Sequence, residues 1–187
     1  KKDTATTAPT TQSSEQQTLT EINTGKTPDK VIYSYREKDT DPYILYSRPA
    51  SGGERTELVK LEGNEFFSNY DVNKNVVVYS ADQGIYVSTD SGIKFSKVFD
   101  IDKNAGVQIT SLKISTEANR VAFGYLPAVG GKNTVKTMDL DGKNQVDLFT
   151  TEKSGVFIDG WSDNGGKMVY GEGCYNCDGN ATIPMVY

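Results

Sequence analysis

Val77-Val78-Tyr79-Ser80 decides how this chain is read, because it comes back. Val31-Ile32-Tyr33-Ser34, Val121-Ala122-Phe123-Gly124 and Met168-Val169-Tyr170-Gly171 repeat its order of two apolar residues, an aromatic and a small residue. The copies begin at residues 31, 77, 121 and 168, at steps of 46, 44 and 47. Recurrence near that period, in a chain rich in β-branched and aromatic residues, is the mark of repeated four-stranded β-units.

Around each copy the other parts follow in a fixed order. In the third unit, residues 108–114 (QITSLKI) alternate as a first strand and residues 115–120 form a polar turn. Residues 121–125 are a continuous apolar strand, of the kind buried on both faces. A Gly-rich hairpin over 127–133 leads to a third strand at 134–138, and Asp139-Leu140-Asp141-Gly142-Lys143 turns into an outer strand at 145–149. The second unit is read as strands at 66–70, 76–80, 84–88 and 95–99, with a turn at 71–74. The first unit shows strands at 31–35, 43–47 and 55–61, and the fourth begins at 157–161 and 168–171. No window sustains an i, i+3, i+4 apolar stripe, so essentially no helix is expected. The fold class is all-β: about 3.5 four-stranded antiparallel propeller blades, part of a larger propeller of roughly 6–8 blades. Blades are placed at 27–63, 64–104, 105–153 and 154–187 within a partial propeller over 19–187. Residues 1–18 are Thr, Ser and Gln with almost nothing apolar, and read as a disordered tether or a plain disordered tail. Behind Lys1-Lys2 the tether looks like the spacer that follows a membrane anchor N-terminal to Lys1.

The units carry a resemblance. GWSDNGGKMVYG (160–171) resembles the Trp-Ser-Pro-Asp-Gly-Lys core of TolB-like repeats, also called WD40-like or PD40 repeats. Residues 27–34 (TPDKVIYS) and 114–124 (ISTEANRVAFG) are weaker copies. MDLDGKNQVDLFT (138–150) resembles the closing segment of the same family. Only the fourth copy carries the Trp, and the second lacks the Ser-Pro-Asp-Gly turn. Ser88-Thr89-Asp90-Ser91-Gly92-Ile93-Lys94-Phe95 resembles an Asp-box, with Phe95 where Trp stands in that motif. Asp-boxes occur in sialidases as fold elements, so Ser88, Asp90, Gly92 and Phe95 are read as a structural turn: the Asp satisfies backbone N–H groups and the Gly takes a left-handed conformation.

Several function classes are set aside. The chain has 187 residues, a net charge of −5 and no basic cluster, so the electrostatic footprint of nucleic-acid binding is missing. With mean hydropathy of −0.53, no segment approaches the roughly 20 apolar residues of a spanning helix. There is no His, which removes imidazole base catalysis and His metal ligands within this chain. Acidic residues fall mostly in turns and the four arginines, Arg36, Arg48, Arg55 and Arg120, occupy unrelated positions, so neither a glycosidase carboxylate pair nor a sialidase arginine cluster is legible. Asp139-Leu140-Asp141-Gly142 matches a calcium loop only in part and reads as a turn. No cofactor or metal is implied.

Cys174 and Cys177 form a CxxC in a hairpin loop, read as a disulfide pinning that loop, worth about 2 kcal/mol, with free thiols or a redox or metal pair as the alternatives. A disulfide places the chain outside the cytoplasm, in a periplasm or at a cell surface. Loops between second and third strands share one face in a propeller, and loops on a rigid scaffold carry recognition. Tyr35, Tyr43, Tyr125, Leu126 and Tyr175 are the binding candidates there. The leading expectation is a non-catalytic exported propeller that binds a protein or carbohydrate partner by its loop face. The alternative is the propeller portion of a hydrolase, either glycosidase-like or a serine peptidase whose catalytic domain lies beyond Tyr187.

Overall fold

The computed structural model describes residues 30–63, 65–81, 84–127, 131–152, 155–173 and 183–186. The tether at 1–18, the start of the β-rich region at 19, and Cys174, Tyr175 and Cys177 lie outside these residues.

The described strands are β1 (Lys30–Tyr35), β2 (Ile44–Pro49), β3 (Thr56–Lys60), β4 (Asn69–Asn73), β5 (Val76–Ala81), β6 (Gly84–Ser88), β7 (Ser96–Asp100), β8 (Gln108–Ser115), β9 (Arg120–Leu126), β10 (Asn133–Asp139), β11 (Val146–Thr151), β12 (Gly155–Trp161), β13 (Met168–Gly173) and β14 (Ile183–Val186). Beside them stands one 3-10 turn, Lys103–Ala105. They form four antiparallel meanders, β1-β2-β3, β4-β5-β6-β7, β8-β9-β10-β11 and β12-β13-β14. The described strands divide as two complete four-stranded blades flanked by two three-stranded sheets. The fold is a propeller arrangement, all-β as expected.

The recurring tetrad lies in β5, β9 and β13, each the second strand of its sheet, and in β1 of the first sheet. β5 is buried along its whole length, and the pleat sends successive residues to opposite faces. Val77, Tyr79 and Ala81 pack with Leu45, Leu61 and Phe67 towards the first sheet. Val76 and Val78 pack with Ile109, Leu112, Ile114 and Phe123 towards the third. β9 repeats this: Val121 and Phe123 face the second sheet, while Ala122 joins Val135, Val156, Ile158 and Met168 against the fourth. A strand flanked on both sides by other blades has no solvent face, which is why these runs show no polar alternation.

The small fourth residue also has a physical reason. Ser80 Oγ accepts the Asn69 N–H at 3.1 Å, tying β5 to β4. Gly124 makes room for the Thr110 side chain, which sits over it at a bulge in the β8–β9 register and donates to the Val156 carbonyl at 3.3 Å. A register shift recurs between third and outer strands at Leu45/Tyr46, Ile85/Tyr86 and Val135/Lys136. Such bulges raise the local twist that a fan of sheets needs.

Two boundaries differ from expectation. The strand expected at 66–70 begins only at Asn69, and Asp71, expected in a turn, lies within β4. Phe67 meets Tyr79 edge-to-face at 5.3 Å and fills the core from the connection instead of from a strand. Asp71 stays extended because its carboxylate accepts the Ile114 N–H of the next blade at 2.9 Å.

Candidate functional site

The strands turn at two rims. One rim carries short polar turns at 74–75, 89–95, 116–119, 139–145 and 162–167. The other carries the β1–β2 and β9–β10 hairpins and the connections from β3 to β4 and from β7 to β8. Tyr35 pairs with Ile44, Ala81 with Gly84, and Gln108 with Leu126 at this second rim.

The turn rim satisfies itself. In the 88–95 turn, the Ser88 hydroxyl donates to Asp90 Oδ1 at 2.5 Å and accepts the Gly92 N–H at 2.9 Å. Asp90 Oδ1 also accepts the Lys94 N–H at 3.1 Å. These donors, the Ser88 hydroxyl first, hold the Asp90 carboxyl below its ordinary value. Gly92 has φ of 90°, and a side-chain carbon there would meet Leu58 at 2.8 Å. Phe95 packs edge-on against Tyr79 at 5.1 Å. Ser88, Asp90, Gly92 and Phe95 therefore act together, as a turn pinned to the first two sheets. In the 139–144 turn, Asp139 accepts from Asn144 Nδ2 at 2.6 Å and lies 3.7 Å from Arg120, and Asp141 pairs with Lys143 at 2.7 Å. Among the described residues no three Cys, Asp or Glu side chains converge as metal ligands would.

The aromatic residues expected on the loop rim are placed differently from one another. Tyr35 is 46% exposed, with Arg55 5.7 Å from its ring centre, on the side of the first sheet that looks away from the second. Tyr43 is half-buried on the Leu45–Tyr79 cluster with Arg36 4.6 Å over its ring. Tyr125 is half-buried, edge-on to Phe99 at 6.2 Å and 5.1 Å from Lys136 Nζ. Leu126 is half-buried at the end of β9. Tyr175 lies outside the described residues. Arginine and lysine side chains thus lie beside the rings of Tyr35, Tyr43 and Tyr125.

The sequence reading missed a different feature of the same rim. Between the second and third sheets lies a hollow of about 460 Å³, with Phe66, Ser68 and Ala81 on one side and Ile101, Val107 and Ile109 on the other. Phe66 is 52% exposed at its edge. Placing Phe66 inside a strand hid it; an apolar residue just before the true strand start was the available signal. A second hollow of about 450 Å³ is lined by Thr40, Pro42, Lys60, Leu61 and Glu62.

Below the rims, polar side chains of one innermost strand tie the next. Asn69 Nδ2 donates to the Ile109 carbonyl at 2.7 Å, and Asp71 lies 3.7 Å from Lys113 Nζ. Burial pushes the Asp71 carboxyl up, against the pull of Lys113 and the Ile114 N–H. Ser111 Oγ accepts the Ile158 N–H at 2.9 Å, and Trp161 Nε1 donates to the Lys113 carbonyl at 3.4 Å.

No family model matches the sequence, and no curated protein matches it. Solved structures do resemble its fold. TolB from Acinetobacter baumannii superposes with a TM-score of 0.64 at 13% identity, over 90% of this chain and 42% of TolB. Prolyl endopeptidase gives 0.55 at 15% identity, over 79% of this chain and 25% of that chain. A chain of the nidogen/laminin complex gives 0.52 at 13%, over 77% of this chain and 57% of that chain. At such identities the likeness shows the fold: a TolB-like, WD40-like β-propeller architecture, spanning less than half the length of TolB.

Proposed function

We propose that this chain belongs to a non-catalytic, exported propeller that docks a protein partner on its loop rim. Phe66 carries the reading: a large apolar side chain, half exposed beside an apolar-walled hollow. An exposed aromatic at a concave site is the kind of anchor that dominates protein interfaces. The nidogen/laminin complex, a protein assembly, contains a chain of similar fold. Export rests on the Thr/Ser/Gln segment behind Lys1-Lys2 and on the Cys174–Cys177 pair read as a disulfide. The turn of Ser88, Asp90, Gly92 and Phe95 is assigned to the scaffold as an Asp-box, and Tyr125 and Leu126, beside Phe99 and Gln108, to the border of the docking face.

A photo-crosslinking residue placed at Phe66, and in a separate variant at Asn144 on the turn rim, tests this in the source cells. Adducts with a discrete protein from position 66 and none from 144 are expected. Equal labelling from both, or from 144 alone, overturns it.

The propeller portion of a hydrolase is the second reading, and the fold likeness to prolyl endopeptidase is the observation behind it. The residues that follow Tyr187 in the gene decide between them. Further blades alone keep the docking reading, and a Gly-x-Ser-x-Gly segment after the last blade replaces it.

A further inference from the structure

The hollow beside Phe66 has a chemistry specific enough to define its occupant, given the docking reading above. Its floor is apolar: Ala81 and Ile109 are buried, and Ile101 and Val107 half-buried. Its mouth is polar: the Ser68 hydroxyl and the Gln108 carboxamide are exposed and have no hydrogen-bond partner among the described residues. The chain on either side of its lining is acidic: Glu62 and Glu65 precede Phe66, and Asp100 and Asp102 flank Ile101. Asp100 pairs with Lys97 at 3.1 Å, whereas Glu62 and Asp102 have no cationic partner among the described residues. The connection that brings Phe66 to this hollow also brings Leu61 and Glu62 to the second one.

We infer that this rim takes an extended cationic peptide segment of the partner. One aromatic or branched aliphatic side chain enters between Phe66 and the Ile101–Val107 wall. The peptide backbone meets the Ser68 hydroxyl and the Gln108 carboxamide, which supply a donor and an acceptor each. Lysine or arginine residues on either side of the anchor lie against Glu62 and Asp102. The apolar anchor supplies affinity by leaving water, and the Glu62 and Asp102 carboxylates, the latter already capping the Asn104 N–H, select the sign of the flanks. A nucleic-acid strand is disfavoured by the same carboxylates, which face its phosphates.

Fluorescence anisotropy on the whole chain tests this with three labelled octapeptide pools: phenylalanine between lysines, phenylalanine between aspartates, and alanine between lysines. The first pool is expected to bind about tenfold more tightly than either of the others. Phe66→Ala weakens it by about the same factor. Glu62→Lys combined with Asp102→Lys reverses the preference between lysine and aspartate pools, and about 0.5 M salt erases it. If the aspartate pool binds as well as the lysine pool and Phe66→Ala weakens both, the cationic class is overturned and the docking face stands. If no pool binds, the inference falls; the crosslinking at position 66 then reports on the docking reading independently.

Discussion

The two rims of the same sheets are built on opposite plans. On the turn rim, side chains spend their hydrogen bonds close by: Ser88 on Asp90 and Gly92, Ser162 on Asn164 and Lys167, Asp139 on Asn144. On the loop rim Arg36 pairs with Asp39 and Asp102 accepts the Asn104 N–H, yet Phe66 stands half exposed and the side chains of Ser68, Gln108 and Glu62 have no partner among the described residues. A rim that closes its own polar groups is a structural joint. A rim that leaves them open beside an apolar hollow has capacity for a partner. The difference teaches that in a repeated scaffold the residues holding the fold and those free to bind separate by which end of the strand they occupy.

The sharpest way to break this comparison is at Gly92. Its φ of 90° is a conformation L side chains rarely adopt, and Leu58 leaves no room for a methyl group. Gly92→Ala is expected to lower stability by about 1–3 kcal/mol, read as a fall in the urea midpoint with the slope unchanged. An unchanged midpoint removes the turn rim's structural role.

Asn133 sharpens the comparison from the other end. It begins β10 at the loop rim, is 1% exposed, and neither its amide nitrogen nor its oxygen has a hydrogen-bond partner among the described residues. A buried polar group left unpaired costs about 1–3 kcal/mol, so Asn133→Leu is expected to raise the thermal midpoint, with a gain of about 1 kcal/mol. A loss of stability there shows that the amide has a partner.

The seam between second and third blades supplies a pH test, with two carboxylates of opposite sign. Glu117 is held down to about 2 from an ordinary 4.5 by hydrogen bonds from Lys74 first and Thr116 second. Its folded value lies below its unfolded one, so its contribution is complete above pH 4.5 and fades as pH falls towards 2. Asp71 is raised from 3.8 by burial, against Lys113 and the Ile114 N–H. Its folded form binds a proton more readily than its unfolded form, so its contribution becomes less favourable as pH rises from 3.8 through the folded value. Thermal unfolding from pH 2 to 7 checks both. The stability gap between wild type and Glu117→Gln should shrink on acidification. Wild type should gain on Asp71→Asn as pH is lowered through the window just above 3.8.

The smallest expected effect on stability belongs to Phe66. Half exposed and outside the buried clusters, Phe66→Ala should change stability by no more than about 0.5 kcal/mol, read from the urea midpoint. A large shift assigns Phe66 to the core and returns the loop rim to scaffold.

Much of this is legible in the residues. The tetrad at 77, 121 and 168 marks the second strand of three sheets, with the copy at 31 in β1, and the apolar continuity of β5 and β9 announces burial on both faces. The 88–95 segment announces a tight turn through its Ser, Asp and Gly spacing. Phe66 and Phe67 mislead because two aromatics before a polar pair look like a strand, whereas one fills the core from a connection and the other stands at the hollow. Asp71 misleads because Asp is a turn former by habit. Tyr35, Tyr43 and Tyr125 look like free aromatics until Arg55, Arg36 and Lys136 are seen beside them.

Strand alternation and most of the turn chemistry depend on neighbours a few residues apart, and the repeat period is read directly from the recurring tetrad. The Asp71–Ile114, Asn69–Ile109 and Ser111–Ile158 bonds join residues 43, 40 and 47 positions apart. Such pairings arise only when one blade is laid against the next. The same stacking of blades creates the hollow beside Phe66, because a concavity belongs to the gap between two surfaces and to no single stretch of chain.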